Sequence, residues 1–209
     1  MAGFTTIEGR AQAEIEAKKS RFIGQIAHAG TEEEALAFLD EVRGRHRMAR
    51  HNVYAYIVHA DGASDRMRYS DDGEPQKTAG MPTLDTLLHA GLVDVCLVTT
   101  RYFGGVLLGT GGLVRAYTQA AQAAIDAARL VRISPCVDIE TNVPYALYES
   151  LARIAEGKEA RIVDTSFTDD VAVRIRTLAG VEEPLVKKIE ELTRGTAHMR
   201  ISGPHFAPF

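Results

Sequence analysis

The segment Cys136-Val137-Asp138-Ile139-Glu140-Thr141-Asn142-Val143-Pro144 decides how the C-terminal third of the chain is read. Val137, Ile139 and Thr141 alternate with charged or polar residues, the period of a strand with one buried face, and Pro144 then opens a helix. Leu147, Leu151 and Ile154 recur on one face of that helix, which ends near Gly157. Residues 161–167 and 171–178 read as strands joined by a turn at Asp169-Asp170. A second helix begins near Glu182-Glu183-Pro184, carries Leu185, Ile189 and Leu192 inward and stops by Gly195, and residues 197–201 form a last strand. The order β-α-β-β-α-β is the ferredoxin-like pattern. It predicts a four-stranded antiparallel sheet with both helices on one face. Residues 203–209, with Pro204 and Pro208, read as a loose tail.

The preceding residues mix helix and strand. Residues 5–16 and 20–29 read as a hairpin. Thr31 with Glu34 is a capping signature for a helix carrying Phe38, Leu39 and Val42 inward. Residues 52–59 alternate as a strand, Asp61-Gly62 marks a turn, and residues 67–70 form a short return strand. Pro82 stands near the start of a helix with Leu84, Leu87 and Leu88, closed by Gly91. The apolar run 92–102 reads as a central strand. Residues 113–128 form an alanine-rich helix with Val114, Tyr117, Ala121 and Ile125 near one face, its small side chains suited to lying close on a sheet. The boundary between the halves falls near residues 131–135.

The 209 residues are 45% apolar and 25% charged, the balance of an ordinary globular protein. No run reaches membrane-spanning length and no signal segment opens the chain, which predicts a cytoplasmic protein with no membrane partner. Cys96 lies in an apolar run and reads as a buried thiol. A net charge of −4 excludes broad charge-driven binding to nucleic acid, so any such contact needs a local patch. Arg43, Arg45, Arg47 and Arg50 form the densest basic cluster, and are either a phosphate-contacting patch or the solvated end of a helix.

Two glycine- and acid-rich segments carry the candidate chemistry. Asp71, Asp72 and Glu74 gather three carboxylates in one turn that ends at Thr78. Arg101 then enters, and Arg115 leaves, a loop holding Gly104, Gly105, Gly109, Gly111 and Gly112 between a strand and a helix. Backbone N–H groups at such a helix start favour an anion, with the arginines adding guanidinium contacts. The alternative is that these glycines serve tight turns and close packing. Neither a P-loop nor a dinucleotide fingerprint fits, because Thr110-Gly111 follows Gly109 and Val114 stands where a third glycine is needed. The carboxylates suit a divalent cation or a general base, or simply an Asp-Gly turn. His51-Asn52, before a strand, offers an acid/base group or an ordinary hydrogen-bonded strand entrance. No complete nucleophilic or zinc constellation is present, and neither a metal nor a cofactor is expected.

Ser70-Asp71-Asp72-Gly73-Glu74-Pro75, Thr78-Ala79-Gly80 with Pro82, and the run from Arg101-Tyr102-Phe103-Gly104-Gly105 to Arg115-Ala116-Tyr117 resemble the YigZ/IMPACT family. Lys19-Ser20-Arg21-Phe22-Ile23, His51-Asn52 and Tyr54-Ala55-Tyr56 match it too, whereas Lys77 stands where the family usually has glycine. The resemblance implies an α+β protein of two domains. Residues 1–134 would form a β/α domain like that of a small-subunit ribosomal protein and elongation factor G. Residues 135–209 would form a ferredoxin-like domain similar to the last domain of elongation factor G. Eukaryotic relatives look like regulators of the amino-acid-starvation response, acting through an additional N-terminal module not expected here. The function implied is a non-enzymatic regulator of translation, or a protein that binds the ribosome, RNA or a translation-related protein. The competing expectation is an enzyme acting on a phosphorylated or acidic small molecule where the 71–80 and 101–115 loops meet.

Overall fold

In a computed structural model the described residues are 3–60 and 64–209, so the turn expected at Asp61-Gly62 lies outside them. They form two compact units, Phe4–Val131 and Arg132–Phe209, the second including Gly3. The larger unit runs β1 (Phe4–Glu8), β2 (Arg10–Ala17), β3 (Ser20–His28), α1 (Glu32–Arg45), β4 (His51–Val58), β5 (Arg66–Ser70), α2 (Gly80–His89), β6 (Val95–Tyr102) and α3 (Thr110–Asp126).

Its sheet has the order β2-β3-β6-β4-β5, with every neighbouring pair antiparallel. Helix α1 packs on one face, where Phe38, Leu39 and Val42 meet Tyr56, Cys96 and Val98. Helices α2 and α3 cover the other, where Leu87, Ala121 and Ile125 meet Ile26, Ile57 and Leu97. Central β6 is therefore buried on both faces, which is why its sequence reads as an apolar run rather than an alternation. Each such aliphatic side chain contributes about 1.5–3 kcal/mol on burial.

Three readings of this unit change. The first expected strand is two, because Gly9 sits at φ +69° between β1 and β2. Leu88 and Val114 point outward, at 47% and 36% exposure, because each stands one residue beyond a buried position of its helix, Leu87 and Leu113. The close fit of α3 is as expected: a Cβ on Gly24 of β3 would lie 2.4 Å from the Ala120 carbonyl oxygen. Thr31 caps α1 by accepting from the Glu34 N–H, while the Glu34 carboxylate accepts from Gly30 N–H.

The smaller unit is built on β7 (Arg129–Val143), which starts in the larger one, with α4 (Tyr145–Ala155), β8 (Ala160–Phe167), β9 (Val171–Leu178), α5 (Glu183–Thr193), β10 (Met199–Ile201) and β11 (His205–Pro208). β10 and β9 flank β7, and β8 pairs with β9, all antiparallel. Leu151 of α4 and Ile189 of α5 share one core with Ile139, Val173 and Ile175. This is the ferredoxin-like arrangement, and the chain is α+β in two parts. The tail is not loose: residues 205–208 pair with residues 133–136 of β7, beyond the end of β10, where the ladder still has an open edge. The strand read from residue 136 likewise begins earlier, at Arg129.

Candidate functional site

The acidic turn between β5 and α2 is held by its own backbone. Asp71 accepts from Lys77, Ala79 and Gly80 N–H groups at 2.8, 3.0 and 2.8 Å, and so caps α2, which has no hydroxyl cap. Asp72 accepts from Asn52 N–H at 2.7 Å and from Arg43 at 3.0 Å. The Thr78 hydroxyl donates to the Pro75 carbonyl at 2.7 Å. The Asn52 side chain accepts from Thr100, which in turn accepts from Gln25, a buried polar chain across the sheet. These groups are spent on structure, and among the described residues no group of three acidic, histidine or cysteine side chains is placed to hold a metal.

Lys77 lies at φ +62°, a left-handed conformation that glycine adopts without strain, and its N–H rather than its ammonium meets Asp71.

The two motif loops meet through Glu74 and Arg101. Arg101 Nη1 donates to Glu74 Oε1 at 2.7 Å, with the side chains 7% and 4% exposed. Tyr117, one face of α3, donates its hydroxyl to the same oxygen at 2.7 Å. Burial, then the Glu74 charge, raises the Tyr117 phenol far above its ordinary range, so it stays a donor. The Arg101 guanidinium lies over Phe22 at 5.4 Å and Phe103 at 5.6 Å, and its Nε is buried without a partner.

The glycine loop is mostly explained by packing. A Cβ on Gly104 would fall 2.0 Å from the Lys19 carbonyl, and Gly104 N–H donates to Ser20. Gly105 and Gly109 have positive φ, and a Cβ on Gly112 would stand 3.0 Å from Leu108. Gly111 has open space, its nearest neighbour being Arg115 Nη1 at 4.0 Å. Arg115 is exposed and, among the described residues, makes no ion pair or hydrogen bond, so it does not join Glu74.

Three of the four candidate arginines have partners of their own. Arg43 binds Asp72, Arg45 lies 3.8 Å from Glu41, and Arg47 donates to the Gly44 carbonyl. Arg50 has no ion pair or hydrogen bond among the described residues and lines a cleft of about 610 Å³ with Met48, His51, Arg101, Tyr102, Phe103 and Leu107. Met48, Phe103 and Leu107 are 89%, 54% and 80% exposed. His51 and Arg101 are register partners in adjacent strands, so their side chains leave the sheet on the same face. The Tyr102 hydroxyl lies 2.9 Å from His46 Nδ1 on the α1 side. Burial, then Arg45 and Arg21, holds His46 below its ordinary pKa. A second depression, about 470 Å³ between α1 and β3, includes Arg10 and Glu41, which pair with each other, and none of the motif residues.

Sequence reasoning missed Met48 and Leu107 in this cleft, and the Tyr117 hydroxyl in the network. The signal for Tyr117 was available: a tyrosine on the buried face of an alanine helix needs a partner for its hydroxyl. Nothing marked Met48 or Leu107, because single apolar loop residues carry no pattern.

Residues 18–125 match the Impact N-terminal domain and residues 141–196 match a domain of unknown function, DUF1949. The chain is 33% identical over 184 residues to IMPACT family member YigZ of Escherichia coli, covering 88% of this chain and 90% of that one. It is 35% identical over 94 residues to the Protein IMPACT homolog of Dictyostelium discoideum, covering 44% and 27%. A solved structure described as a hypothetical protein superposes with a TM-score of 0.62 at 31% identity, covering 95% of this chain and 97% of that one. The chain belongs to the YigZ/IMPACT family.

Proposed function

We propose that this protein is a non-enzymatic RNA-binding member of its family with a role in translation, and that single-stranded RNA sits in the cleft between the α1–β4 turn and the loop after β6. One observation carries the reading. The cleft combines Arg50, which has no partner among the described residues, with Arg101 and the exposed Phe103, Met48 and Leu107, while Asp71 and Asp72 are engaged by backbone N–H groups and Glu74 by Arg101. Cationic donors beside an accessible aromatic face are what a sequence-tolerant single-strand site uses, phosphate on the cations and a base on the ring. An acidic small molecule would use the same cations but has no need of the apolar rim. No helix among the described residues is long and apolar enough to cross a membrane.

Fluorescence anisotropy with a labelled ten-nucleotide RNA tests this. Arg50→Ala should lower affinity and reduce the salt slope by about 0.7, the value per phosphate contact on single strands. Phe103→Ala should weaken binding by about 1–3 kcal/mol with the slope unchanged. Absence of binding at low salt, or variants indistinguishable from wild type, refutes the reading.

A further inference from the structure

We infer that His51 is the residue by which this cleft separates RNA from DNA, its Nε2 accepting a hydrogen bond from a ribose 2′-hydroxyl. The inference rests on the RNA-binding reading above and adds the chemistry that distinguishes the strand.

The ring's tautomer is set by its neighbour. His51 Nδ1 lies 2.9 Å from the backbone carbonyl oxygen of Asp72. A carbonyl only accepts, so Nδ1 carries the proton, and in the neutral imidazole Nε2 is left with its lone pair. The Asp72 carbonyl is itself fixed, because the Asp72 carboxylate accepts from Asn52 N–H and Arg43 and its N–H donates to the Ser70 hydroxyl. Gly73 packs beside the ring: a Cβ there would lie 3.5 Å from Nδ1. The imidazole therefore enters the cleft in one orientation.

The other polar groups of the cleft are of opposite kind. Arg50 and Arg101 only donate, and the Tyr102 hydroxyl is engaged with His46. Among the side chains lining the cleft, His51 Nε2 is thus the ring nitrogen that can accept beside the guanidinium donors. A ligand that satisfies the whole wall offers an anion, a neutral O–H or N–H donor close to it, and a flat apolar group for Phe103. One ribonucleotide unit carries all three: phosphate, 2′-hydroxyl and base. A deoxyribonucleotide lacks the donor, and a 2′-O-methyl group keeps an oxygen but removes its proton. Loss of one neutral hydrogen bond corresponds to about a three- to tenfold loss of affinity.

The test is competitive anisotropy on the full chain with three oligomers of one sequence: RNA, deoxyuridine-containing DNA, and fully 2′-O-methylated RNA. RNA should bind about three- to tenfold more tightly than either of the others. His51→Phe should abolish the preference, RNA and DNA then binding the variant with equal affinity. Because that variant also removes the Asp72 contact, a second readout uses the wild-type chain: the His51 Nε2 ¹⁵N resonance should move upfield on adding RNA but not DNA. Equal affinity for all three oligomers, or a preference that survives His51→Phe, overturns the role of His51 while leaving RNA binding in place. Failure of every oligomer to bind overturns both readings. Displacement of RNA by adenosine monophosphate at oligomer-like concentrations would assign the site to a free nucleotide and overturn the strand assignment.

Discussion

Replacing Glu74 by Gln should destabilise this protein far more than breaking an exposed ion pair of the same length. The Arg101–Glu74 and Arg10–Glu41 pairs are both 2.7 Å long, but the first is 7% and 4% exposed and the second 58% and 43%. Glutamine keeps an oxygen for the Tyr117 hydroxyl, so the change isolates the charge. It leaves the Arg101 guanidinium buried between Phe22 and Phe103 with no counter-charge. Removing one partner of a buried pair costs about 3–5 kcal/mol, a large part of a typical total stability of about 5–15 kcal/mol. Exposed Glu41→Gln should cost less than about 1 kcal/mol. Following Glu74→Gln with Arg101→Met removes the stranded charge as well, and the double variant should recover about 2 kcal/mol or more relative to the sum of the singles. Urea unfolding followed by far-ultraviolet circular dichroism and by tyrosine fluorescence, usable because the chain has no tryptophan, gives the free energies of the wild type, the three single variants and the double variant. Additivity within about 0.5 kcal/mol, or equal costs for Glu74→Gln and Glu41→Gln, would refute the reasoning.

Lys77→Gly should stabilise the chain by roughly 0.5–1 kcal/mol, the relief of a left-handed non-glycine residue less the extra unfolded-state freedom of glycine, and an unfolding midpoint at or below wild type would count against it. Gly104→Ala should destabilise by about 3 kcal/mol or more, since its Cβ would meet the Lys19 carbonyl at 2.0 Å; Gly111→Ala, with open space, is the control and should be near neutral by the same denaturation assay. His46 should titrate below its ordinary 6.5 by proton NMR, as burial and Arg45 favour the neutral ring. Its folded pKa being depressed, the unfolded chain binds more protons in that window, so this stability is present above pH 6.5 and lost as pH falls through the folded value. A titration midpoint at or above 6.5 would contradict the burial seen around His46.

Much of the fold was legible because its elements announce themselves by period. The C-terminal βαββαβ order follows from alternation at Val137, Ile139 and Thr141 and from the 3–4 spacing of Leu147, Leu151, Leu185 and Ile189. The tail strand was not legible, because Pro204 and Pro208 argue against a strand in isolation. Only the unpaired edge of β7, a tertiary fact, recruits residues 205–208. At the site, the Arg101–carboxylate contact could be anticipated from complementary charges in adjoining loops. Which carboxylate is chosen could not: Asp71 and Asp72 are claimed by backbone N–H groups and Arg43, and only Glu74 reaches the guanidinium. Of the four-arginine run, Arg43, Arg45 and Arg47 have partners of their own and Arg50 lines the cleft, a division that sequence spacing does not show.

The central claim is that RNA occupies the cleft at the end of β6, and photocrosslinking tests it most directly. A single-stranded RNA bearing 4-thiouridine, irradiated with the full chain and mapped by mass spectrometry, should label the peptides holding Met48–His51 and Tyr102–Leu107, and Phe103→Ala should remove most of that label. Crosslinks that map instead to the sheet of the smaller unit, around Glu140, Asp164 and Arg174, or a yield no greater than with an unrelated protein of equal charge, would contradict the account.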